Sequence, residues 1–159
     1  MRSDKDLRQL ALAIALICAP ACGWAQSREA TVWIPLDPSK PEHAAILGWH
    51  RALVANDFAA YLRYRQPMEG VSEATRRMHF ANVCSMTPPT LMITASPSHI
   101  NPNGSKDYTV AGCMKQPGDP NEMRMVAGVT PYQKDGQWQV GGSDFGPPWN
   151  NTIRACPVK

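Results

Sequence analysis

The N-terminal segment constrains this chain more than anything else in it. Met1 to Gln9 carries Arg2, Lys5 and Arg8, diluted by Asp4 and Asp6, and Leu10 to Ala19 is an unbroken apolar run. A helix that crosses a bilayer needs ~20 apolar residues, so this run is too short to be one. Small residues follow and end in Gly23-Trp24-Ala25 before Gln26. A charged head, an apolar middle and a small-residue end make the layout of a cleavable export signal. The expected cut follows Ala25. Residues 1–25 are then a leader, and residues 26–159 form the working chain, periplasmic or secreted from a bacterium. Ala19-Pro20-Ala21-Cys22 leaves one alternative open, in which Cys22 carries the lipid of a bacterial lipoprotein.

Residues 26–159 are one domain's worth of chain, enough to bury a core without extra staples. The net charge of the whole chain is +3, and past the leader the basic residues are scattered: Arg63, Arg65, Arg76, Arg77, Lys115, Arg124, Lys134. No basic stripe interleaved with aromatics forms, so nucleic acid is not an expected partner. No second apolar run is long enough for a membrane span. There are 15 prolines, so loops are many and stiff.

Residues 26–40 read as a lead-in, with a short extended piece at Thr31 to Ile34. Ser39-Lys40-Pro41-Glu42 reads as a helix start, with Ser39 as cap, Pro41 in the first turn and Glu42 closing a capping box. Ala45, Ile46, Trp49, Ala52 and Leu53 then recur at helical spacing. Asp57 caps a second helix holding Phe58, Tyr61, Leu62 and Arg65, which ends before Pro67. Ser72 caps a third, Glu73 to about Ser85, with Ala74, Met78, Ala81 and Asn82 on related faces. Strands are expected at Thr90 to Ser96, Asp107 to Met114, Glu122 to Tyr132 and Gln137 to Phe145. Asn101-Pro102-Asn103-Gly104 and Lys134-Asp135-Gly136 mark turns between them. Residues 146–159 form a tail. Helices followed by hairpins give an α+β domain, with three N-terminal helices on one face of an antiparallel sheet of about four strands.

The first helix from Glu42 to Ala55, the stretch Asn56-Asp57-Phe58-Ala59-Ala60-Tyr61-Leu62 and the hairpin Lys134-Asp135-Gly136-Gln137-Trp138-Gln139-Val140 resemble the NTF2-like superfamily. The resemblance spans roughly Pro41 to Phe145. It implies a curved sheet folded around a conical pocket. That family holds isomerases and dehydratases as well as non-catalytic modules, and fold does not choose between them. The chain departs from the enzymes at Arg63-Tyr64-Arg65-Gln66-Pro67, where they run through an acidic turn.

Side chains that could carry chemistry are few. His43, His50, His79 and His99 lie far apart, and the seven-residue gap between His43 and His50 is not the i, i+4 spacing of a metal pair. His43 and His50 are expected to be solvated helix residues. No cysteine sits at zinc-ligand spacing, so neither metal nor cofactor is expected. Gly142-Ser143-Asp144 is a strand end and not a nucleophile elbow. The acids serve as caps and turn residues. Aromatic rings are the richest feature, and Tyr61, Tyr64, His79 and Trp138 are the candidate lining of a ligand pocket. Met78, Met86, Met92, Met114, Met123 and Met125 could line an adaptable binding surface, but the expected role is core gap filling.

Three cysteines remain after the leader, and an oxidising compartment lets two of them pair. The expected bridge is Cys84–Cys113, with both thiols at one end of the sheet. Cys156 is then left free or intermolecular, and is also the rival partner. The functional expectation is a non-catalytic binding or protein-interaction module. Its partner is a small apolar ligand or a protein, with a homodimer through the sheet face as one form. The alternative is a small lyase or isomerase acting on an apolar ligand. Acid–base chemistry needs a titratable group in a tuned environment, and no such constellation is visible in the sequence.

Overall fold

The computed structural model describes residues 31–65, 69–115, 118, 121–148 and 156. The segment read as a leader, Cys22 and most of the tail lie outside the described residues. The elements run β1 (Trp33–Pro35), α1 (Pro41–Val54), α2 (Phe58–Tyr64), α3 (Glu73–Ser85), β2 (Met92–Thr94), β3 (His99–Ile100), β4 (Lys106–Lys115), β5 (Glu122–Lys134) and β6 (Gln137–Gly142). The domain is α+β, with a six-stranded antiparallel sheet ordered β1-β2-β4-β5-β6 and β3 paired to β4. Two strands exceed the expected four. One of them, β1, comes from the lead-in, so the helices do not all precede the sheet. It pairs with β2 through Trp33–Thr94, Ile34–Ile93 and Pro35–Met92.

The helix starts follow local chemistry. Asp57 accepts from the Ala60 N–H at 2.9 Å and Ser72 from the Thr75 N–H at 3.2 Å, which satisfies one orphan donor of each helix. The expected capping box on α1 does not form. Lys40 is the N-cap and makes no side-chain cap bond, while the Ser39 amide and hydroxyl turn to the Asp37 carboxylate at 2.9 and 2.7 Å. Pro41 supplies the preset first turn instead.

The α1 stripe Ala45, Ile46, Trp49, Ala52 and Leu53 is buried as its spacing predicts. It faces Ile93, Val110, Met125, Ala127, Val129 and Val140, the inner side chains of the sheet. On α3 the expected face is wrong. Met78 is 70% exposed, and Ala74, Ala81 and Asn82 are exposed too, while Phe80 and Val83 enter the core. Phe80 meets Phe58 and Tyr61 at ring separations of 5.3 and 4.9 Å, and that aromatic contact sets the rotation of the helix.

The β5–β6 hairpin turns on Asp135 and Gly136, with φ of +50° and +76°. Both central residues adopt positive φ, as a tight turn matched to the strand twist requires.

The expected Cys84–Cys113 bridge is overturned: Cys113 is bonded to Cys156, and Cys84 is free and half-buried. The reason is the period of two along β4. Tyr108, Val110 and Met114 point to the helices, so Cys113 points the other way. Cys84 sits on α3 against the core, on the far side of the sheet from the Cys113 thiol. The ends match along the strand, but the faces do not.

His43 and His50 correct the sequence expectation as well. They are 4% and 6% exposed, not solvated. With Ile46 and Leu53 they form a 3-4-3 series along the buried stripe of α1. The His50 Nε2–H donates to the Pro88 carbonyl at 2.7 Å. The His43 Nδ1 accepts the Asp37 N–H at 3.1 Å, which leaves the neutral ring's proton on Nε2. Burial lowers both pKa values; the Pro88 bond opposes it at His50, and Glu42 and Asp37 oppose it at His43.

A pH dependence follows. A histidine with a lowered folded-state pKa binds fewer protons folded than unfolded, so its contribution is intact above the unfolded value of about 6.5 and is lost as pH falls through the folded one. The urea midpoint should therefore fall on going from pH 8 to pH 5. His50→Gln, which keeps a donor for Pro88, should flatten that fall. A midpoint that does not move across this range would remove the argument.

Candidate binding cleft

A cleft of about 440 Å³ opens where the N-terminal end of α1 meets the start of β4 and the β5–β6 hairpin. Its rings are Tyr108 of β4 and Trp138 of β6, on the inner face of the sheet with Pro131, and Tyr132 of β5 borders it from the opposite face of the strand. Glu42 reaches it from the first turn of α1 and Lys106 from the first residue of β4. Gln133, Ser105 and Asn103 add uncharged hydrogen-bonding groups at the rim. The size falls in the range of small-molecule sites, about 300–1,000 Å³.

The rings are fixed from behind. Trp138 lies opposite Gln133 in the β5–β6 register, and Tyr108 opposite Val129 across β4–β5. The Tyr132 hydroxyl donates to Gln139 Oε1 at 2.9 Å, which holds that ring along the sheet. His43 supports Tyr108 edge-on, with ring centroids 6.1 Å apart and planes at 88°. Burial raises the Tyr108 hydroxyl pKa, and the Glu42 carboxylate pushes the same way. Tyr108 therefore offers a neutral phenol to the cleft.

A second polar group gathers elsewhere, around Asp144 just after β6. Its Oδ1 accepts from Arg65 Nη2 and its Oδ2 lies against His79 Nε2, both at 3.2 Å. Arg65 also donates from Nη1 to the Gly142 carbonyl at 3.0 Å and stands 5.5 Å from the Trp49 ring centroid. Asp144 thereby joins the end of α2, the middle of α3 and the chain leaving β6. The arrangement is a strap between elements. Its three side chains occupy one another.

The four candidates from the sequence are thus divided. Trp138 lines the cleft. Tyr61 is core, packed between Phe58 and Phe80, and burial raises its pKa. Tyr64 lies over Gly48 of α1, so close that a methyl group on Gly48 would overlap its hydroxyl. His79 belongs to the Asp144 strap. Tyr108 belongs to the aromatic set from which a pocket could be built, though not to the four candidates; Glu42 reads in the sequence only as a capping residue, and Tyr132 and Lys106 carry no signal there beyond their place on or beside a strand.

A broader depression of about 590 Å³ lies where α2 and α3 meet. Most of its polar groups are already engaged. Asp57 caps α2, and Arg77 pairs with Glu73 at 2.8 Å and covers the Phe58 ring at 4.6 Å. It is the weaker candidate on that ground.

No helix among the described residues is long and apolar enough to cross a membrane. No protein-family model, curated protein or solved structure matches the chain.

Proposed function

We propose that this chain is an exported, non-catalytic binding module that holds a small ligand in the cleft between Tyr108 and Trp138. The cleft carries the reading: the Tyr108 and Trp138 rings and a proline share one opening with Glu42, Lys106 and Gln133. Such a lining favours a ligand with an apolar body and polar edges over the purely apolar one expected from the sequence. The NTF2-like resemblance supports the proposal, because a pocket between helices and sheet is what that fold offers. The cut after Ala25 and a periplasmic or secreted location belong to it too. A cysteine pair bridged within one domain is at home in an oxidising compartment.

The lyase or isomerase alternative needs an acid or base that reaches the ligand. It would draw on Glu42, Lys106 or Tyr108, the ionisable groups that line the cleft, because His43 is not among the lining residues and spends its Nδ1 on the Asp37 amide.

Two measurements test the proposal. Mass spectrometry of the exported protein should find a chain starting at Gln26; a lipid-modified start at Cys22 would replace the cut by an anchor. A library of small amphipathic compounds, screened by amide chemical shift, should yield binders whose perturbations centre on Tyr108, Gln133 and Trp138. Trp138→Ala should weaken them by about tenfold or more, the scale of losing one well-packed aromatic contact. Binders that ignore Trp138, or turnover of a bound compound, would count against it.

A further inference from the structure

Cys113 and Glu122 are diagonal neighbours on the outer face of the sheet, because Cys113 pairs with Arg124 and Lys115 with Glu122. Cys156 joins them through its bond to Cys113. Both sulfurs and a Glu122 carboxylate oxygen lie within 4.8 Å of one another. Ligands of one tetrahedral zinc stand roughly 3.5–4 Å apart, given bonds of about 2.3 Å to sulfur and 2.0–2.2 Å to oxygen. These three atoms need only small shifts to reach that spacing once the sulfurs are parted. The facing cation, Arg124, is drawn aside over the Trp33 ring, 6.0 Å from its centroid.

We propose that, when reduced, Cys113 and Cys156 form with Glu122 a site for a thiophilic divalent cation such as zinc. The outer face then has two exclusive fastenings, a disulfide or a metal. An external dithiol supplies the reduction: it is oxidised to its own disulfide, and the Cys113–Cys156 bond takes up two electrons and two protons. The cation displaces two thiol protons to water as two metal–sulfur bonds form. Glu122 supplies a third bond and water a fourth. Two thiolates in the set select zinc or cobalt over magnesium or calcium. This inference is independent of the ligand cleft.

The test uses the full chain carrying Cys18→Ser and Cys22→Ser, reduced by a phosphine under anaerobic conditions and titrated with cobalt(II). The expected result is a one-to-one complex with sulfur-to-cobalt charge-transfer absorption and the strong visible bands of a tetrahedral site, bleached by zinc. The oxidised chain should show none. Cys84→Ser should bind as well as its parent, and Glu122→Gln about tenfold or more weaker, at least the loss seen when a supporting group is removed. Circular dichroism of the same samples reports whether the reduced chain stays folded. Absence of the charge-transfer band on reduction overturns the proposal. So does a band that survives Cys113→Ser, or binding indifferent to Glu122→Gln, folded or not.

Discussion

Cys156→Ser should lower the melting temperature by on the order of 10–20 °C. The bridge to Cys113 closes a separation of 43 residues. In the chain-entropy account a loop of that length restrains the unfolded state by about 4 kcal/mol. For a domain of this size each kcal/mol corresponds to roughly 3–5 °C. Cys113→Ser should match it, since either change opens the same loop. Cys84→Ser should be close to neutral, because Cys84 is half-buried and unbridged and serine nearly preserves its volume. Thermal melts of the three variants under non-reducing conditions decide the matter. If Cys84→Ser and Cys113→Ser fell together while Cys156→Ser did not, the pairing would be Cys84–Cys113 after all. Peptide mapping without reduction gives the same answer chemically.

Trp49→Ala should cost about 3–5 kcal/mol, the range for emptying a large aromatic site. Trp49 is fully buried at the centre of α1. Its ring stacks on Phe145 at 5.4 Å with the planes 13° apart, and the Arg65 guanidinium covers it. Three elements therefore lose contact at once: α1, the end of α2 and the segment after β6. Trp49→Phe should cost much less. It keeps a ring against Phe145 and removes Nε1, a buried donor with no hydrogen-bond partner among the described residues. Urea unfolding separates the two, and a Trp49→Phe variant as unstable as Trp49→Ala would mean that the indole nitrogen has a partner of real weight.

The ligand cleft and the cysteine bridge illustrate different failures of sequence reasoning. Trp138 was legible as a cleft residue because it follows a strong turn on a strand, and strand side chains alternate predictably. Tyr61 and His79 were plausible by the same local logic. What removed them was the company they keep: Phe58 and Phe80 for one, Asp144 for the other. Asp144 lies 79 positions from Arg65, and no local pattern links them.

The sequence by itself determined what depends on a few neighbouring residues. Asp57 and Ser72 cap helices, Pro41 opens one, Asp135-Gly136 reverses the chain, and the apolar spacing of α1 marks its buried stripe. These are local free energies that act before any tertiary contact exists. The α+β class follows from their order. Only the tertiary structure decided the rotation of α3, whose sparse apolar residues suit more than one face until Phe58 and Tyr61 select Phe80. It alone recruited β1 and the two-residue β3, which are too short to carry a signal of their own. It also chose the bridge. A strand's register sends each successive side chain to the opposite side of the sheet, so one position decides whether Cys113 meets a helix or the chain's end. That choice rests on pairings across the sheet, between residues the sequence holds far apart.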